Sequence, residues 1–132
     1  MPEDYRSALV AGFVSAQLQL PGGLVGRQRV VRVSLERLRH IAIRRPDWLL
    51  HCLLHMADVI GRPQYLGFRP RSDPKRVEFV RGVGPRNQLL LVAIKFLDAE
   101  REAWVSTAHP LGANDLTRRL RADTMQKVSR GP

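Results

Sequence analysis

A chain of 132 residues with 44% hydrophobic content is long enough for one buried core and too apolar to be disordered. Its single cysteine, Cys52, excludes an internal disulfide and a zinc finger, and favours a reducing compartment. The net charge of +10, from 22 Lys plus Arg against 12 Asp plus Glu, points to a polyanionic partner, because the guanidinium fork matches phosphate geometry. No segment approaches the roughly 20 apolar residues of a membrane span. Glu3 and Asp4 also stand where a signal peptide would carry cations, so a cytoplasmic location, or delivery into a target-cell cytoplasm, with no membrane partner is expected.

Taken in order, residues 4–20 are rich in small and apolar side chains and predict a first helix, stopped by Pro21, Gly22 and Gly23. The valine-rich run Arg29 to Val33 predicts a short strand. Ser34 is a candidate N-cap for a helix over 35–44, which the Arg45-Pro46 step ends. A second helix is expected from Asp47 to Ile60, stopped by Gly61 and Pro63. Beyond it the period changes. Strands are expected at 64–68, at 76–81 by alternation, at 89–97 as a central apolar run, and at 104–108. After Pro110 and Gly112, Asn114 opens a basic helix to about Lys127. Helices first, then an antiparallel sheet, then a helical tail make an α+β fold. The chain divides into an N-terminal helix with a Pro/Gly linker (1–28), a central domain (29–112) and a basic C-terminal helix (113–132).

Three places carry residues suited to chemistry. On the 35–44 helix, Leu35, Leu38, Ile41 and Ala42 form an apolar stripe, and His40 points away from it between Arg37 and Arg44. A core histidine would lie in the stripe, so His40 is read as an exposed candidate base. In the last strand, alternation puts Val105, Thr107 and His109 on one face and Trp104, Ser106 and Ala108 on the other. Lys95 interrupts an apolar strand and needs either a strand end or an anionic partner. On the second helix, His51, His55 and Asp58 share a narrow polar strip. A His-x3-His pair can chelate zinc, but His-Cys-Leu-Leu-His lacks a metalloprotease glutamate, and a solvent-facing strip is the simpler reading. Cys52 falls on the apolar side as an inert core thiol. Glycine-rich phosphate loops and nucleophile elbows are absent from the sequence.

Residues 31–111 also carry a resemblance. Val33 to Ile41, reading Val-Ser-Leu-Glu-Arg-Leu-Arg-His-Ile, precedes Arg44-Arg45-Pro46-Asp47, the helix end Ala57-Asp-Val-Ile60, and Pro63-Gln-Tyr-Leu-Gly67. Val77-Glu-Phe-Val-Arg81, Leu89-Leu-Leu-Val-Ala-Ile-Lys95 and Trp104-Val-Ser-Thr-Ala-His-Pro-Leu111 follow in the same order. Together they resemble phage-associated nuclease-like domains of the barnase–EndoU–colicin–RelE (BECR) group. The resemblance implies N-terminal helices packed on a four-stranded antiparallel sheet within 29–112, and metal-independent RNA cleavage in a toxin or phage-linked effector. Family members commonly follow His-Ile with Arg-His-Pro-Glu. Here Arg45 stands at the second histidine and Asp47 at the acid, which removes one candidate proton carrier.

The resulting expectation is a ribonuclease acting through 2′-hydroxyl attack, without a cofactor. His40 would be the base and His109 the spare proton donor. Arg44, Arg81 and Lys95 would stabilise the transition state, and Thr107 would position the phosphate. Arg37, Arg45, Arg81 and Ser106 would hold the RNA, with tRNA among the candidates, and an immunity or antitoxin protein would be a partner. The alternative is a non-catalytic nucleic-acid-binding or phage-particle accessory protein using the same basic surface.

Overall fold

The computed structural model describes residues 8–20, 29–68, 75–97 and 102–128. In chain order these form β1 (Ala8–Val14), β2 (Arg29–Ser34), α1 (Leu35–Arg44), a 3-10 turn (Pro46–Trp48), α2 (Leu49–Gly61), β3 (Tyr65–Phe68), β4 (Arg76–Val83), β5 (Gln88–Leu97), β6 (Glu102–Pro110), α3 (Ala113–Arg121) and β7 (Met125–Lys127). The strands make one seven-stranded sheet in the order β1-β2-β6-β5-β4-β3-β7. Every neighbouring pair is antiparallel except β2 and β6, which run parallel.

This corrects the expected architecture. The fold is α+β, but its sheet has seven strands and is mixed rather than four-stranded and antiparallel. The described chain also enters on a strand instead of helices, and the C-terminal helix is followed by another strand rather than forming a helical tail. Within the expected helix 4–20, residues 8–14 form β1, while residues 4–7 lie outside the described residues, as do the stops at 21–23. Val10, Phe13 and Val14 favour extended backbone. Gly12 is required by packing: a Cβ there would lie 3.2 Å from both Ala57 Cα and Ile60 Cβ, so the missing side chain lets α2 lie directly on the strand. At the other end, α3 stops at Arg121 and Asp123 takes a positive φ of 59°. The chain thereby reverses, and Met125–Lys127 pair with Tyr65–Gly67 of β3.

Two cores lie on the two faces of the sheet. On one, α1 and α2 cover Val31, Val33, Phe79, Leu90, Val92, Ile94 and Val105, with Cys52, Met56, Val59 and Ile60 of α2 packed into the same cluster. On the other, Leu116 and Leu120 of α3 pack on Val80, Leu91, Ala93, Leu111 and Met125. Beside this second core, Arg119 Nη1 donates to Glu78 Oε1 at 2.8 Å, and Arg76 stands 3.8 Å from the other carboxylate oxygen. No described helix is long and apolar enough to cross a membrane.

Candidate functional site

The site begins at the junction of β2 and α1. Ser34 ends the strand and caps the helix, its buried Oγ accepting the Arg37 N–H at 3.0 Å. Leu38 and Ile41 then turn inward onto the core, which leaves Arg37, His40 and Arg44 exposed. The Arg45 N–H closes the helix on the Ile41 carbonyl at 2.8 Å, and Pro46 follows at once.

β6 supplies the opposite wall. On one side it is zipped to β5 from Glu102 to Pro110, whereas on the other it pairs with β2 only at Ala103 and Trp104. Past Trp104 only Val33 and Ser34 of β2 remain before α1 begins, and neither pairs with β6, so the rest of the β6 edge faces the helix rather than a strand. The register to β5 slips between Ala93 and Ile94, leaving Ser106 as the extra residue of a bulge. This changes the expected faces. Val105 pairs with Ile94 on the α1–α2 side, while Thr107 pairs with Ala93 and His109 with Leu91 on the other.

Between helix and strand edge lies a hollow of about 340 Å³, lined by Arg37, His40, Ile41, Arg44, Arg45, Thr107, Ala108 and His109. That is within the range of ligand sites, about 300–1,000 Å³. Among the described residues, three guanidinium groups, two imidazoles and one hydroxyl line it, and no carboxylate does. Arg37, Arg44 and Arg45 form no ion pair with a described residue. His109 Nδ1 lies 2.9 Å from the Pro110 carbonyl oxygen. Because a carbonyl only accepts, Nδ1 must carry the proton, and Nε2 is the open nitrogen of the neutral ring.

The other sequence candidates lie elsewhere. Lys95 is exposed on β5, opposite Arg76 and Trp104, and points to the face away from Ile94 and Phe96. Arg81 is held beside α2: its Nε is 3.3 Å from Asp58 Oδ2, and its Nη1 donates to the Arg62 carbonyl at 2.8 Å. Ser106 is half-buried at the bulge and does not line the hollow.

On α2, the His51 and His55 rings are 4.6 Å apart, but Asp58 is engaged by Arg62 and Arg81. The hydrogen bond from Arg62 lowers the Asp58 pKa most, with both guanidinium charges adding to it. Among the described residues, no group of three or more His, Cys, Asp or Glu is placed to hold a metal ion. Cys52 is fully buried, which raises its thiol pKa and keeps it unreactive.

Sequence reasoning missed a second hollow of about 270 Å³, where Trp48 and His51 face the β4–β5 hairpin. Nothing local in the sequence links Trp48 to residues 83–88. No family model matches this sequence, and no curated protein or solved structure shows significant similarity to it.

Proposed function

We propose that the chain is a ribonuclease that cleaves a phosphodiester through attack by the adjacent 2′-hydroxyl. The observation that carries the reading is the shared hollow: His40 on α1 and Thr107 and His109 on β6, distant in sequence, line one cavity with three arginines. His40 takes the proton from the 2′-oxygen as it bonds to phosphorus. The Arg37, Arg44 and Arg45 guanidiniums stabilise the charge building on the non-bridging oxygens, and the Thr107 hydroxyl donates to one of them. Protonated His109 delivers a proton through Nε2 to the departing 5′-oxygen, leaving a 2′,3′-cyclic phosphate and a free 5′-hydroxyl. A cationic lining with no carboxylate among the described residues disfavours a metal cation and suits side-chain proton transfer.

The test is an RNA digest with chelator present, followed by end-group analysis. His40→Ala and His109→Ala should each slow cleavage about 10²–10⁴-fold. Unchanged cleavage in His40→Ala removes the assigned base. Arg45 favours a second reading, RNA binding without cleavage. It occupies the position at which the resembled domains carry a second histidine, and a guanidinium neither takes nor gives a proton near neutral pH. A wild-type protein that binds RNA with strong salt dependence and leaves it intact would establish that reading.

A further inference from the structure

The second hollow borders the first. The carbonyl of Arg45, a residue of the cationic hollow, accepts the N–H of Trp48 at 2.9 Å, and Trp48 lines the second hollow. One 3-10 turn therefore separates them, a span on the order of 6 Å at the usual rise. The sheet brings them to the same end. His109 and Pro110 of β6 pair with Leu91 and Leu90 of β5, and Gln88, on the rim of the second hollow, is two residues further along.

The two hollows differ in chemistry. The first presents cations, whereas the second presents flat and apolar surface. Trp48 and His51 meet nearly at right angles, 86° with centroids 4.7 Å apart, so they wall a corner instead of stacking on each other. The hairpin closes on the same imidazoles. A Cβ at Gly84 would lie 3.4 Å from His51 Cε1 and 3.8 Å from His55 Nε2, and the φ of +75° at Gly84 favours glycine. Gly84 thus keeps a side chain out of the corner, while Arg86 and Gln88 stand exposed at its rim. His51 Nε2 is buried and has no hydrogen-bond partner among the described residues. A buried ring nitrogen in that state is costly unless a ligand satisfies it.

We propose that this second hollow is a nucleobase subsite, seating the base next to the phosphate held between α1 and β6. The base stacks on the Trp48 indole, and the His51 ring turns its buried Nε2 out to pair with the polar edge of the base. This rests on the ribonucleotide reading of the first hollow only for the position of the phosphate. It adds what that reading lacks, a means of holding single-stranded nucleic acid by a base as well as by its backbone. Stacking on an aromatic tolerates every base, whereas a single ring nitrogen discriminates between their edges.

The experiment measures equilibrium binding of a short single-stranded oligonucleotide whose target ribose is 2′-deoxy, so that no cleavage occurs. It is compared with the same strand carrying an abasic residue on either side of that linkage. Loss of one flanking base should weaken binding to the wild-type protein about tenfold or more. Trp48→Leu should bind the intact and abasic strands alike while keeping the wild-type salt dependence. His51→Phe keeps the ring, drops the nitrogen, and serves should Trp48→Leu fail to fold; it should reduce the base penalty about fivefold. Equal wild-type affinity for intact and abasic strands overturns the subsite, as does a full base penalty persisting in both variants. Base-sensitive binding without cleavage of the all-ribose strand supports the subsite and removes the nuclease reading. Cleavage with no base sensitivity removes the subsite alone.

Discussion

Replacing Arg37, Arg44 and Arg45 together by glutamine keeps side-chain length near the native value and removes three charges from the hollow. All three side chains are exposed and outside any ion pair with a described residue, so the loss should fall on ligand binding rather than on the fold. Each phosphate contact on a single strand adds about 0.7 to the slope of log affinity against log salt. Three contacts amount to a slope of about 2, so raising salt from about 50 to 200 mM should cost the wild-type protein about 15-fold through these residues. The triple variant should lose that component, with a slope shallower by about 2. The assay is a fluorescence titration of a labelled single-stranded RNA at four or five salt concentrations. Lys95→Gln is the control, since Lys95 lies on another strand and does not line the hollow; it should leave cleavage intact. An unchanged slope in the triple variant would show that the phosphate does not sit between α1 and β6.

Three further outcomes follow from the packing. Arg119→Met should cost about 3 kcal/mol in denaturant unfolding, because it strands the buried Glu78 carboxylate; Arg76 at 3.8 Å keeps the loss at the low end for a broken buried pair. Ser34→Ala should cost about 1 kcal/mol, near 4 °C in melting temperature, by removing the cap of α1, and cleavage should fall with it because Arg37, His40 and Arg44 all ride on that helix. Burial, and secondarily His55, lower the His51 pKa below its ordinary 6.5, so the unfolded chain takes up that proton first. Stability should therefore fall as pH drops through 6.5 and level off below the depressed folded value, and His51→Phe should flatten thermal unfolding profiles in that window.

Much of the central sheet is legible in the sequence because its signals are local. The run 89–97 is too apolar for anything but a covered strand, and Val77 and Phe79 alternate in β4. His40 is legible for a similar reason, since Leu38 and Ile41 fix the buried side of a capped helix. What failed lacks a local signal. In β1, Leu9, Val10 and Phe13 are all exposed and a register slip falls between Val10 and Gly12, so no two-residue period survives. β7 has three residues, too few for any period, and exists because Asp123 reverses the chain onto β3. The bulge at Ser106 was equally silent. It reverses the faces of Thr107 and His109 relative to Val105, although Trp-Val-Ser-Thr-Ala-His reads as plain alternation. Lys95 and Arg81 were grouped with the site as cations, and only the lining of the hollow and the contacts of Arg81 with Asp58 and Arg62 separate them from it.

The short strand before α1 also explains why the site lies where it does. β2 runs parallel to β6 for two residue pairs and then leaves, because Ser34 turns the chain into α1. A longer β2 would cover the β6 edge; with no β2, α1 would have no fixed position beside it. An uncovered strand edge ordinarily invites pairing with another chain, and cations are among the devices that prevent this. Here the guarding cations are Arg37, Arg44 and Arg45, held in place by two inward apolar residues, Leu38 and Ile41. The same charges line the hollow proposed to take the phosphate, with His40 and His109 at its walls. Protection of the edge and the proposed recognition of phosphate would therefore share one set of arginines. Exchanging them for neutral residues should raise self-association in low salt alongside the loss of RNA affinity, and sedimentation velocity would detect the first independently of the second.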